Sequence, residues 1–155
     1  MTSLHPYWPA PQGQNINATV TLPGSKSLTN RELLLSAIAA EPTLLIAPLV
    51  SRDSSLMIAA LESLGIEFEW QGEDLLVTPG PLAGPATIDC GLAGTVMRFV
   101  PPLSTLALGE ISFDGDEGAR RRPMHTTIDS IRSLGVEVKA ADKSLPFSVL
   151  GTGHV

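Results

Sequence analysis

Apolar positions in this chain alternate between a helical rhythm and a strand rhythm, and the same succession of rhythms runs twice. Residues 19–22 read as a short strand that ends in the turn Pro23-Gly24-Ser25. A helix follows over residues 26–40, with Leu33, Leu34, Leu35, Ala37 and Ile38 covering more than one face. So wide an apolar surface predicts a buried helix. Pro42 stops it, and residues 43–47 read as a strand. Ser51 or Asp53 caps a second helix, whose Leu56, Met57, Ala60, Leu61 and Leu64 form one stripe. Gly65 ends that helix at the position a C′ glycine takes. Two strands close the succession, over residues 67–70 and 75–78, with residues 71–74 as the turn.

The second pass keeps the order. Residues 86–90 are a strand and residues 91–94 a glycine turn. A helix carrying Val96, Phe99, Val100 and Leu103 comes next, and Pro101-Pro102 is expected to kink it. A strand over residues 111–114 leads into the loop 115–122. Pro123 is expected in the first turn of a helix whose stripe is Met124, Ile128 and Ile131. Gly135 ends it, and strands at residues 136–140 and 147–150 close the copy. Two segments carry the match in letters as well as rhythm. Ala18-Thr19-Val20 recurs as Ala86-Thr87-Ile88, and Ser63-Leu64-Gly65-Ile66-Glu67 as Ser133-Leu134-Gly135-Val136-Glu137, each about seventy residues later. The expected fold is therefore α/β, built of repeated β-α-β-α-β-β units over residues 18–85 and 86–155, behind an irregular arm at 1–17. Parallel strands are expected at the β-α-β steps and an antiparallel hairpin at the end of each unit.

Composition narrows the class. Hydrophobic residues make up 43% of the 155 and charged residues 17%, which supports a core and excludes a disordered chain. A net charge of −6 argues against nucleic-acid or membrane-surface partners, so any bound anion must be caught locally. The single cysteine, Cys90, allows no internal disulfide and suits a reducing cytoplasm. Residues 1–17 hold neither Lys or Arg nor an apolar run, so they read as no signal or transit peptide. No stretch approaches the roughly 18 apolar residues of a membrane span. His5, His125 and His154 are too scattered to mark a metal site.

Three helix starts carry the chemistry of anion binding. A helix N-terminus has unpaired N–H groups and a partial positive charge. The first start, Pro23-Gly24-Ser25-Lys26-Ser27-Leu28-Thr29-Asn30-Arg31, adds hydroxyls, an ammonium and, one turn past Ser27, a guanidinium. It is not a nucleotide-binding P-loop, because no glycine directly precedes Lys26. The second is Cys90-Gly91-Leu92-Ala93-Gly94-Thr95-Val96-Met97-Arg98, and the third runs from Glu117 through Arg120, Arg121 and Arg122 to Pro123. Each also has a plain reading, as a capped helix start or a solvated charge cluster. Their equivalent places in a repeated fold favour one shared site.

These residues resemble a known family. Leu22-Pro23-Gly24-Ser25-Lys26-Ser27 with Asn30-Arg31 resembles the N-terminal signature of the 5-enolpyruvylshikimate-3-phosphate synthases. Leu92-Ala93-Gly94-Thr95-Val96-Met97-Arg98 resembles their second motif and Arg122-Pro123 their third. The resemblance implies transfer of a carboxyvinyl group from phosphoenolpyruvate to shikimate 3-phosphate, without a cofactor, by a cytoplasmic enzyme that is a monomer at full length. It implies two domains made of six repeated units, of which this chain supplies about two. Lys26 would touch both substrates and act in catalysis. Ser27 and Arg31 would bind shikimate 3-phosphate, and Gly94 and Arg122 phosphoenolpyruvate. Leu92 stands where the family often has Asn, and Phe99 where it often has Pro. The family's acid–base carboxylates lie beyond the matched region, so this chain alone is expected to be inactive.

Two other readings compete. The sister enzyme that transfers the same group to UDP-N-acetylglucosamine typically has Lys-Asn where this chain has Lys26-Ser27. It also carries a cysteine before the Arg-Pro pair, where residues 114–122 hold none. A non-enzymatic anion-binding module is the second, and a chain that stops at Val155, where a third unit would begin, counts against it.

Overall fold

In a computed structural model the structure describes residues 12, 13 and 15–154, so most of the expected arm lies outside the described residues. The first unit contains α1 (Lys26–Ala37), β1 (Thr43–Leu45), α2 (Arg52–Glu62), β2 (Glu67–Gln71) and β3 (Asp74–Thr78). The second contains β4 (Ala86–Asp89), α3 (Gly94–Ser104), β5 (Leu108–Asp114), α4 (Glu117–Arg120), α5 (His125–Ser133), β6 (Glu137–Ala140) and β7 (Phe147–Thr152).

Each unit folds its strands into one sheet. The first sheet has the order β1-β3-β2, the second β4-β5-β7-β6. Strand for strand, β1, β3 and β2 correspond to β5, β7 and β6, and all of these pairings are antiparallel. The β4-β5 pair is parallel, with Ile88 opposite Phe113, as a strand-helix-strand step requires. Gly65 and Gly135 follow α2 and α5 with φ of 104° and 87°, where a side chain would be strained.

The helices pack between and beneath the sheets. Helix α2 contacts both β4 and α3, and α1 contacts α2 and α3, so the inner helices join the two units. One continuous core results, with Leu33, Met57, Leu61, Val96, Met97, Val100, Ile128 and Ile131 meeting Leu75, Val77, Ile111 and Val149 from the sheets. Phe113 and Phe147, opposite each other on β5 and β7, stack with centroids 5.3 Å apart.

Four expectations need correction. Residues 19–22 form no strand, and Val20 and Leu22 stand 73% and 77% exposed. A strand exists through its backbone partners, and among the described residues β1 pairs with β3 alone. Helix α1 is also shorter than expected and buried on one side only. Leu33 and Ala37 are in the core, whereas Leu35 and Ile38 are exposed. The loop 115–122 contains the short helix α4. Finally, α5 starts at His125 with Met124 as its N-cap, so Pro123 lies just outside the helix.

Candidate functional site

The first loop is held from behind. Ser25 caps α1 by accepting from the Leu28 N–H, and the Thr29 hydroxyl accepts from the Leu49 N–H at 3.0 Å. Lys26, in the first turn, is 52% exposed at its side chain and pairs with Asp53 of α2 at 2.9 Å. Asp53 is free for this because Ser51, not Asp53, caps α2, through a reciprocal bond with Ser54. Arg31 donates from Nη1 to the Ser27 carbonyl at 2.8 Å, and its guanidinium lies 5.4 Å above the Phe99 ring.

The second loop leaves its helix start open. Helix α3 has Ala93 as N-cap and no side-chain capping bond. Its first turn keeps backbone donors available to an anion. Asn30 Nδ2 donates to Thr95 Oγ1 at 2.5 Å, which ties α1 to the start of α3. Asn30 is fully buried, and among the described residues its Oδ1 has no partner.

In the third loop the three arginines divide. Arg120 grips Asp114 with two bonds of 2.8 and 2.6 Å, so it is paired rather than loosely solvated. That guanidinium holds the Asp114 carboxyl below its ordinary value. Arg121 pairs with Glu117 one turn earlier. Arg122 pairs with no carboxylate among the described residues and donates to the Leu92 carbonyl at 2.8 Å. A Cβ built on Gly94 would lie 3.4 Å from Arg98 Nη1 and 3.7 Å from Arg122 Nη1. Two guanidinium groups therefore flank the bare start of α3.

Of the five expected site residues, four form two pairs and Lys26 stands apart. Gly94 and Arg122 come together, and so do Ser27 and Arg31. Lys26 reaches across to α2, and among the described residues no hydrogen bond or ion pair joins it to Gly94 or Arg122. The start of α2 connects the loops. Asp53 takes Lys26, while Arg52 pairs with Asp116 at 2.8 Å, beside Gly91. No sequence signal marks Arg52 or Asp116, and Asn30 and Thr95 carry none of the expected roles. Only the placement of Asn30 and Thr95 inside two motifs hinted at one.

Cys90 bears on the sister-enzyme reading. It is buried, and burial first, then the charges of Asp89 and Asp114, push its thiol up to about 12. Such a thiol is inert as a nucleophile or acid at neutral pH. Among the described residues no group of acidic, His and Cys side chains could hold a metal ion, and no helix is long and apolar enough to cross a membrane.

Comparison with known proteins agrees with the loops. The family model described as EPSP synthase (3-phosphoshikimate 1-carboxyvinyltransferase) matches residues 11–154. A 3-phosphoshikimate 1-carboxyvinyltransferase of Kocuria rhizophila is 53% identical over 96% of this chain. One of Mycobacterium ulcerans is 49% identical over all of it. The chain spans only 36% and 37% of the lengths of these two relatives. EPSP synthase from Acinetobacter baumannii shares the fold, with a TM-score of 0.78 over 86% of this chain and 32% of its own, at 23% identity. The enolpyruvyl transferase NikO from Streptomyces tendae aligns at 0.56 over 81% of this chain and 29% of its own, at 15% identity. The family model covers nearly the whole chain and relatives match it at about half of all positions, so this chain belongs to the EPSP synthase family.

Proposed function

We propose that the protein carrying this chain transfers the carboxyvinyl group of phosphoenolpyruvate to shikimate 3-phosphate and releases phosphate. The observation that carries the reading is the meeting of three cation-bearing loops around the starts of α2 and α3, in a chain of this family. Both substrates bear a phosphate and a carboxylate, so the site needs N–H donors and fixed cations more than a nucleophile. Lys26 contacts both substrates and Asp53 holds its ammonium in place. Ser27 and Arg31 bind shikimate 3-phosphate. Gly94, through its backbone, and Arg122 bind phosphoenolpyruvate.

The reaction balances without any group from this chain forming a covalent bond. The acceptor hydroxyl adds to the enol carbon and gives up its own proton to a base, while the methylene carbon takes a proton. Loss of that proton and of phosphate then restores the double bond. The cations stabilise the charged phosphates, and proton transfer belongs to carboxylates outside this chain. Both units belong to one domain of a two-domain enzyme, which works as a monomer in the cytoplasm.

The test is phosphate release by the full-length protein. Product should form from phosphoenolpyruvate with shikimate 3-phosphate and not with UDP-N-acetylglucosamine. Release with the nucleotide sugar alone would overturn the proposal. The isolated 155-residue chain should show no release above background.

A further inference from the structure

We propose that Phe99 is a positioning residue for Arg31, and through it a determinant of affinity for the acceptor substrate. The inference rests on the reading of Arg31 as a shikimate 3-phosphate ligand and deepens it.

Arg31 is exposed, and a long exposed side chain loses rotamer freedom whenever it is fixed. Two contacts restrict it. Its Nη1 donates to the Ser27 carbonyl at 2.8 Å, and its Cζ sits 5.4 Å from the Phe99 centroid, within cation–π range. The ring is itself held. Phe99 is half-buried and packs on the core, and Thr95, one turn earlier on α3, receives the Asn30 amide at 2.5 Å. Asn30 is the immediate neighbour of Arg31 on α1 and fully buried. The Asn30–Thr95 bond therefore sets the spacing of the two helices, and the ring meets the guanidinium as a consequence.

The kind of contact matters more than its strength. Lys26, Arg52, Arg120 and Arg121 are all held by carboxylates, which offset their charge and occupy their donors. A ring face restrains Arg31 without adding negative charge and without using an N–H. One donor goes to Ser27, and among the described residues no other hydrogen bond takes the remaining in-plane donors, which suit a carboxylate or phosphate that a guanidinium grips bidentately. Arg31 is thus oriented and keeps its full charge.

The test is steady-state kinetics of the full-length protein with Phe99→Leu, Phe99→Tyr, Arg31→Gln and the Phe99→Leu/Arg31→Gln double variant, with folding checked by thermal melts. Phe99→Leu should raise KM for shikimate 3-phosphate about fivefold, the scale of a partly exposed cation–π contact. It should leave KM for phosphoenolpyruvate and kcat within about twofold. Phe99→Tyr should restore the wild-type KM, and Phe99→Leu should add nothing in the Arg31→Gln background. An equal rise in both KM values, a loss confined to kcat, or the same loss with and without Arg31 would overturn the proposal. If Phe99→Leu melts early, Phe99→Met takes its place with the same expectations. A raised KM in Arg31→Gln beside an unchanged one in Phe99→Leu sinks the positioning role alone. An unchanged KM in Arg31→Gln sinks the ligand reading and the inference together.

Discussion

The two units share one wiring and differ at one strand. In the second unit β4 lies parallel to β5 and buries Ile88, which is 1% exposed. In the first, the matching segment carries Val20 at the same place in the pattern, and Val20 is 73% exposed with no strand around it. The letters are nearly the same, Ala-Thr-Val against Ala-Thr-Ile. What differs is the environment. Nearly the same triplet is a strand where it pairs with a sheet edge and buries its branched residue in a core, and is irregular where it does neither.

The largest expected effect probes that contrast directly. Ile88→Ala should cost about 3 kcal/mol by emptying a packed site, whereas Val20→Ala should stay within about 0.5 kcal/mol. Urea unfolding of both variants checks it, and equal losses would mean that the two segments are equally built into the structure. A smaller gap is expected between glycines of the two hairpins. A Cβ on Gly151 would lie 2.3 Å from the Ala107 carbonyl oxygen and 2.5 Å from that of Ser104, both backbone atoms that cannot yield. Gly151→Ala should cost about 3 kcal/mol as an overpacked site. At Gly72 a Cβ meets nothing, and only its φ of 70° is unfavourable, so Gly72→Ala should cost about 1 kcal/mol. Comparable midpoints for the two variants would remove the distinction.

The smallest effect separates the loops by pH. Arg120 depresses the Asp114 carboxyl below its ordinary 3.8, with the Gly115 N–H helping. A depressed carboxylate contributes stability that is present above the unfolded value and lost as pH falls through the folded one. The stability difference between the wild type and Arg120→Met should therefore hold steady above the ordinary 3.8 and shrink as pH falls below it towards the depressed folded value. Melting temperatures across the acid range test this, and a difference that persists or grows on acidification would contradict the pairing.

Most of the scaffold was legible because its signals are local. Gly65 and Gly135 mark helix ends by a backbone shape that other residues adopt poorly, and the stripe from Leu56 to Leu64 marks α2 by its period. The failures share a cause. Residues 19–22 have a strand's rhythm, but rhythm does not supply a partner. Asp53 looks like a cap until Ser51 takes that role and leaves it to Lys26, twenty-seven residues back along the chain. The arginines of the third loop read as a single cluster, yet each has its own partner, and only Arg122 turns to the second loop. Such pairings are set by three-dimensional placement, which no periodicity records.

The central claim is that the loop at the start of α1 is a working anion site and the paired arginine of α4 is not. Kinetics of Lys26→Met and Arg120→Met in the full-length protein, with circular dichroism to confirm folding, tests it most directly. Each variant removes one positive charge. Lys26 would act on an anion shielded between domains, where removal of one charged partner costs about 2–5 kcal/mol. Arg120 is bound to Asp114 at the surface, so its loss should leave kcat/KM within about twofold. The account predicts a gap of at least about tenfold in kcat/KM between the two variants. Equal activities would reduce Lys26 to an ordinary helix-start lysine paired with Asp53, and the site assignment would fall with it.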